Sequence, residues 1–236
     1  MVALIIRLTI LSALPFMLLL LENAMPGVNP AWDFANAAGL FSGLLMALLF
    51  VFSGRPLSQP YYDGKFFMNL HRDLGYAATL LLIVHIGVLL VSEPLVIDYL
   101  KPSAGWSMLS GTLATLLLVA LVPASLAGMR RKIWRNHKHF KHWHYGLGVL
   151  MLAMMSWHVI SVGFYTRELW KSLLWGGLIG VAILKPLLPR SALERGVGPR
   201  RRHTAAFASW LSAAVVLFAL TLAVGYSLLA NSDLPL

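Results

Sequence analysis

The chain has 236 residues, of which 58% are hydrophobic and only 12% charged; its formal net charge is +10 and it has no cysteine. A soluble domain carries about 25% charged residues, so the balance excludes an ordinary soluble protein, and the missing cysteines exclude disulfides, thiolate-held clusters and a cysteine-tethered haem. The cations fall in short segments between apolar runs, where membrane orientation signals belong, and this argues against nucleic acid as a partner.

Apolar runs of about twenty residues recur, the length that crosses a bilayer as a helix. They predict an all-α integral membrane bundle with seven spans, near 3–21, 34–53, 68–92, 106–128, 144–165, 169–189 and 205–230. The first run carries Arg7 within it and is followed by Glu22-Asn23-Ala24. That is a poor cleavage site, so it reads as an uncleaved helix. The third holds His71 and His85, and the fifth holds His144 and His158. Arg167, Glu168 and Lys171 crowd the start of the sixth. Pro15 and Pro123 are positioned to kink their helices, which a bundle in lipid tolerates.

Lysine and arginine counts set the expected orientation. Arg7 precedes most of the first span, Arg55 and Lys65 lie between the second and third, and Arg72 lies just beyond. Arg130, Arg131, Lys132, Arg135, Lys138 and Lys141 lie between the fourth and fifth, and Lys185, Arg190, Arg195, Arg200, Arg201 and Arg202 between the sixth and seventh. The alternate loops hold only Lys101, Arg167 and Lys171 beside Glu22, Asp33, Glu93, Asp98 and Glu168. The pattern predicts a cytoplasmic N-terminus and an outer, periplasmic C-terminus in a bacterial inner membrane. Spans three and five then run in the same direction. His71 and His144 fall at one depth, near the cytoplasm, and His85 and His158 at a second.

Each pair of histidines within a span is fourteen residues apart. At about 100° per residue that step returns to within roughly 40° of the starting face, and it rises roughly 21 Å. Two such helices can offer two stacked His–His pairs. Ionisable groups inside lipid are costly and usually functional, and neutral imidazole is a common ligand of haem iron. Two imidazoles on one iron leave no open position, so the expected chemistry is single-electron transfer between two non-covalent haems. A lone intramembrane histidine is as often an interhelical hydrogen-bond partner. The equal spacing and matched depth of all four favour the ligand reading. A proton relay, as in a proton-coupled transporter, calls for deep carboxylates, which spans three and five lack. A further alternative is a non-catalytic membrane subunit of a larger respiratory or photosynthetic complex.

Other residues follow from this frame. Haem propionates need cationic donors, and Arg72 beside His71 is the candidate, with Arg130, Arg131, Arg135 and Lys141 on the same side and Lys101, Arg167 and Lys171 on the other. Met151, midway between His144 and His158, is the expected inter-haem contact, although Met there also serves as plain packing. Gly75, Ala77, Ala78 and Gly87, and Gly146, Gly148 and Ala153, leave room either for a flat macrocycle or for close helix packing. The tract from His137 to His144 is histidine-rich, and such tracts bind metals. His142, sixteen residues before His158, lies about 160° off the ligand face. His137, His139, His142 and His203 therefore receive no role.

The segments His71-Arg-Asp-Leu-Gly75 with His85-Ile-Gly, and His144-Tyr-Gly-Leu with Trp157-His158, resemble the two ligand helices of the ferric reductase-like transmembrane domain superfamily. That group includes ferric reductases, NADPH oxidases and the haem-binding membrane subunit of the methionine sulfoxide reductase system. The resemblance covers roughly residues 1–190. It implies a six-helix core with His71, His85, His144 and His158 as axial ligands of two b-type haems, as in a dihaem cytochrome b. Residues 191–204 then form a basic cytoplasmic loop, and 205–236 an additional transmembrane helix with a short tail. Ferric reductases and oxidases continue into a cytoplasmic flavin and nicotinamide domain, whereas Gly196-Val-Gly198-Pro makes no dinucleotide fingerprint. The expected arrangement is an electron-transfer subunit of an oxidoreductase complex rather than a complete enzyme. A separate flavoprotein or quinol would serve as donor, and a separate protein or small molecule as outer-face acceptor.

Overall fold

A computed structural model of the chain describes residues 2–20, 27–53, 64–134, 136–187 and 205–232. Among these residues there is no strand. The helices are α1 (Val2–Leu20), α2 (Pro30–Val51), α3 (Gly64–Ser92), α4 (Trp106–Ser125), α5 (Ala127–Ile133), α6 (His137–Val162), α7 (Leu169–Leu184) and α8 (Ala205–Ala230), with short 3-10 segments at Pro94–Leu100 and Lys185–Leu187. All seven expected spans are helical. Five of them, in α2, α3, α4, α6 and α8, are long and apolar enough to cross a membrane. The apolar stretch Leu4–Leu20 and the 16-residue α7 fall short of that length. At 1.5 Å per residue, α7 rises about 24 Å against a hydrocarbon core of about 30 Å. The basic segments at Arg55, at Arg135, and throughout 191–204 lie outside the described residues, as does His203.

Local chemistry sets several helix boundaries. Asn29 caps α2, its side chain accepting from Trp32 N at 2.8 Å, and Pro30 occupies the first turn, where its missing N–H costs nothing. Asn136 caps α6 in the same way through Lys138 N at 2.8 Å. The fifth helix therefore starts at His137 rather than near His144, and the histidine-rich tract is its first two turns. The fourth stops at Ser125, two residues past Pro123, with Leu126 in an extended conformation before the separate helix α5. Arg130, Arg131 and Lys132 lie in the last turn of α5, where cations suit the helix dipole.

The chain divides into two compact units, Met1–Ser92 with Gly180–Leu236, and Glu93–Ile179. In the first, α2 is the enclosed helix; α3 and α8 pack along it, and α1 lies against both α2 and α8. Its core is built from small and aromatic side chains, among them Ala35, Ala38, Phe41, Phe67, Ala78, Ala219 and Tyr226. The last helix is tied in at both ends. Ser227 Oγ donates to the Pro30 carbonyl at 2.7 Å, and Asn231 Nδ2 donates to Asp33 at 2.9 Å. Asp33 is fully buried and also accepts from Val28 N at 3.2 Å. At the opposite end Ser209 Oγ donates to Asp73 at 2.8 Å. In the second unit α4 and α6 form the main pair, with the 3-10 segment Pro94–Leu100 against α4. Thr166 Oγ1 donates to the Val159 carbonyl at 2.9 Å, and Ser172 Oγ donates to the Thr166 carbonyl at 2.5 Å, which fixes the turn between α6 and α7.

Candidate haem-ligand site

In the first unit, both histidines of α3 reach across to main-chain carbonyls of α2. His85 Nδ1 donates to Ala35 O at 2.8 Å, and His71 Nδ1 donates to Leu49 O at 3.0 Å. A carbonyl only accepts, so each Nδ1 carries the hydrogen, and a neutral ring then has its lone pair on Nε2. The two carbonyls are fourteen residues apart, as the histidines are, because both helices keep the same register through the contact. Leu49 lies in the last turn of α2, where carbonyls lack an intrahelical donor, so His71 satisfies a group that would otherwise be orphaned.

The second unit repeats the arrangement between α4 and α6. His158 Nδ1 donates to Ser107 O at 2.7 Å. His144 Nδ1 meets the hydroxyl of Ser125 at 3.2 Å, and that hydroxyl donates to Leu121 O at 2.6 Å. With its proton on Leu121, Ser125 Oγ accepts from His144, which again leaves the lone pair on Nε2. Phe140 stacks on the His144 ring with centroids 5.2 Å apart, and the Arg130 guanidinium lies over Phe140, 5.4 Å from its centroid. An apolar recess of about 110 Å³ opens beside His144, lined by Leu121, Ala124, Phe140 and Leu147.

Glycines make two of these approaches possible. A β-carbon on Gly39 would stand 2.6 Å from His85 Nδ1 and 2.8 Å from its Cγ. One on Gly111 would stand 2.8 Å from His158 Nδ1 and 2.9 Å from its Cγ. Each glycine lies one turn beyond the carbonyl that its histidine uses, Ala35 or Ser107, on the same helix face. Gly39, Gly111 and Ser125 were not among the residues expected from the sequence. A signal was present: Ala35 precedes His85 by 50 residues and Ser107 precedes His158 by 51, each with glycine four positions on.

The remaining candidates fall as follows. Arg72 pairs through Nε with Asp73 at 2.7 Å, and Asp73 also accepts from Ser209. Met151 is buried on α6. Lys171 is buried, 6% exposed, with its ammonium 5.4 Å from the Trp170 ring centroid. Lys101 pairs with Asp98 at 2.6 Å, and Arg135 lies outside the described residues. His142 donates to Lys138 O at 2.7 Å within its own helix, unlike the four candidate ligands. His137 and His139 are exposed. Among the described residues no group of three or more His, Cys, Asp or Glu gathers in the manner of a bare metal-ion site.

A comparison with protein families matches residues 38–155, half of the chain, to the ferric reductase like transmembrane component. The matched stretch carries His71, His85 and His144 and ends three residues before His158. No curated protein and no solved structure matches the chain. The family is one of transmembrane electron transfer whose members usually bind haem. With α3, α4 and α5 and most of α2 and α6 inside the match, this chain belongs to the ferric reductase-like transmembrane family.

Proposed function

We propose that this chain holds two b-type haems and carries electrons across the membrane between a cytoplasmic reductase or quinol and an outer-face acceptor. His71 with His144, and His85 with His158, would supply the axial ligands. This pairing rests on the fourteen-residue intervals and on the orientation read from lysine and arginine. Bis-imidazole iron supplies one-electron transfer with no open position for a substrate.

One observation carries the reading. All four histidines direct Nδ1–H to an acceptor on a neighbouring helix, and two of them do so over a glycine that leaves space for the ring. Metal-ligating histidines characteristically donate their second nitrogen in this way, which fixes the tautomer, orients the ring and raises ligand basicity. A histidine used only as helix glue needs neither a fixed ring plane nor the same latch four times. The donor set fits a macrocyclic iron, which brings four equatorial nitrogens and asks two imidazoles of the protein. The residues near His144 also suit a haem edge, with apolar Leu121 and Leu147 beside it and Arg130 over Phe140 for a propionate. Arg72 and Met151 keep their proposed roles as propionate donor and inter-haem contact.

The test is the reduced-minus-oxidised spectrum of the purified protein with haem extraction. The reading expects two haem b per chain and a sharp reduced α-band, with reduction by a flavoprotein or a quinol analogue. A haem-bearing preparation that neither donor reduces would leave the cofactor and remove the relay.

A further inference from the structure

The pairs α2–α3 and α4–α6 are one histidine-holding module used twice. In the first, the acceptor carbonyl, the clearance glycine and the second acceptor carbonyl are at 35, 39 and 49; in the second, the same offsets give 107, 111 and 121. Three of the four latches end directly on a carbonyl, at 2.7, 2.8 and 3.0 Å. The fourth does not. Ser125 occupies the Leu121 carbonyl with its own hydroxyl and presents its oxygen to His144 at 3.2 Å, the longest of the four.

That interruption has an electronic consequence. An Nδ1–H bond to a strong acceptor pushes the imidazole toward imidazolate and makes Nε2 a better donor to iron. A hydroxyl at 3.2 Å stands at the long edge of hydrogen-bond geometry and polarises the ring less than a carbonyl at 2.7 Å. His144 is therefore the weakest donor of the set. A weaker donor favours the ferrous over the ferric state.

Resting on the dihaem reading above, we propose that Ser125 is a positioning residue that separates the two haems electronically. It holds the His144 ring in place while weakening its latch, and so sets the reduction potential of the His144-bearing haem apart from that of the other, whose two histidines are latched alike.

The test is a redox titration of the purified wild type, Ser125→Ala and Ser125→Thr, read optically at the α-band. Loss of the hydroxyl frees the Leu121 carbonyl to accept Nδ1–H directly, as the acceptors of the other three histidines do. With a stronger latch the transition of the His144-bearing haem is expected to move downward by at least threefold in its one-electron equilibrium constant, about 28 mV at 59 mV per decade, while the other stays fixed. Thr keeps a hydroxyl able to bond the same i−4 carbonyl and is expected to restore the wild-type value. A His85→Ala background, retaining only the His144-bearing haem, reads the same shift on a single transition. Potentials unmoved in Ser125→Ala, both moving equally, an upward shift, or a Thr variant that behaves as Ala would overturn the inference while leaving the dihaem reading standing. A wild type without haem would end both.

Discussion

The imidazole of His85 lies where a side chain on Gly39 would be, its Nδ1 only 2.6 Å from the position of an added β-carbon. The atom displaced by such a carbon would not be the far end of a flexible chain. It belongs to the ring latched to Ala35. Gly39→Ala is therefore expected to turn the ring off its acceptor, costing about 1–3 kcal/mol as overpacking does, and to lower haem content by about one equivalent. Gly111→Ala is expected to do the same through His158. Haem quantification with thermal unfolding in detergent checks both. Full haem content in either variant would show that the ring has slack.

Pairing across the two modules has its own signature in double variants. His71→Ala with His144→Ala removes both ligands of one haem, so about one of two equivalents is expected to remain. His71→Ala with His158→Ala takes one ligand from each and is expected to lose both. Equal losses in the two doubles would refute the assignment by depth.

The tie at the C-terminal end of α8 makes a stability prediction. Asp33 is fully buried and accepts from Asn231 and Val28. Asn231→Leu removes one donor from a buried carboxylate, which costs about 1–3 kcal/mol. Ser227→Ala removes a single neutral hydrogen bond to Pro30 O and is expected to cost about 0.5–1.5 kcal/mol. Denaturant unfolding in micelles orders the two. Because Ser227 and Asn231 both anchor the end of α8, the double variant is expected to depart from additivity.

What was legible in the sequence is what periodicity carries. The apolar runs and the fourteen-residue intervals gave the seven helices and the candidate ligands, since both follow from composition along one helix. The latches were not legible. Ala35, Leu49 and Ser107 act through carbonyls, which every residue has, so their identities carry no signal. Gly39 and Gly111 became informative only once the offsets of 50 and 51 residues to their histidines were set side by side. Boundaries failed where capping decided them. Asn136 starts α6 seven residues early, and Pro123 with Leu126 cuts α5 away from α4. The seat of α8 on α2 and α3 was also hidden, because an apolar helix advertises no particular neighbour.

The central claim is most directly tested by counting haem in the purified chain. A pyridine haemochrome assay is expected to give two haem b for each 26.0 kDa polypeptide, with a sharp reduced α-band that weakens by about half in His85→Ala and in His144→Ala. A colourless wild-type protein, or a band indifferent to both substitutions, would contradict it.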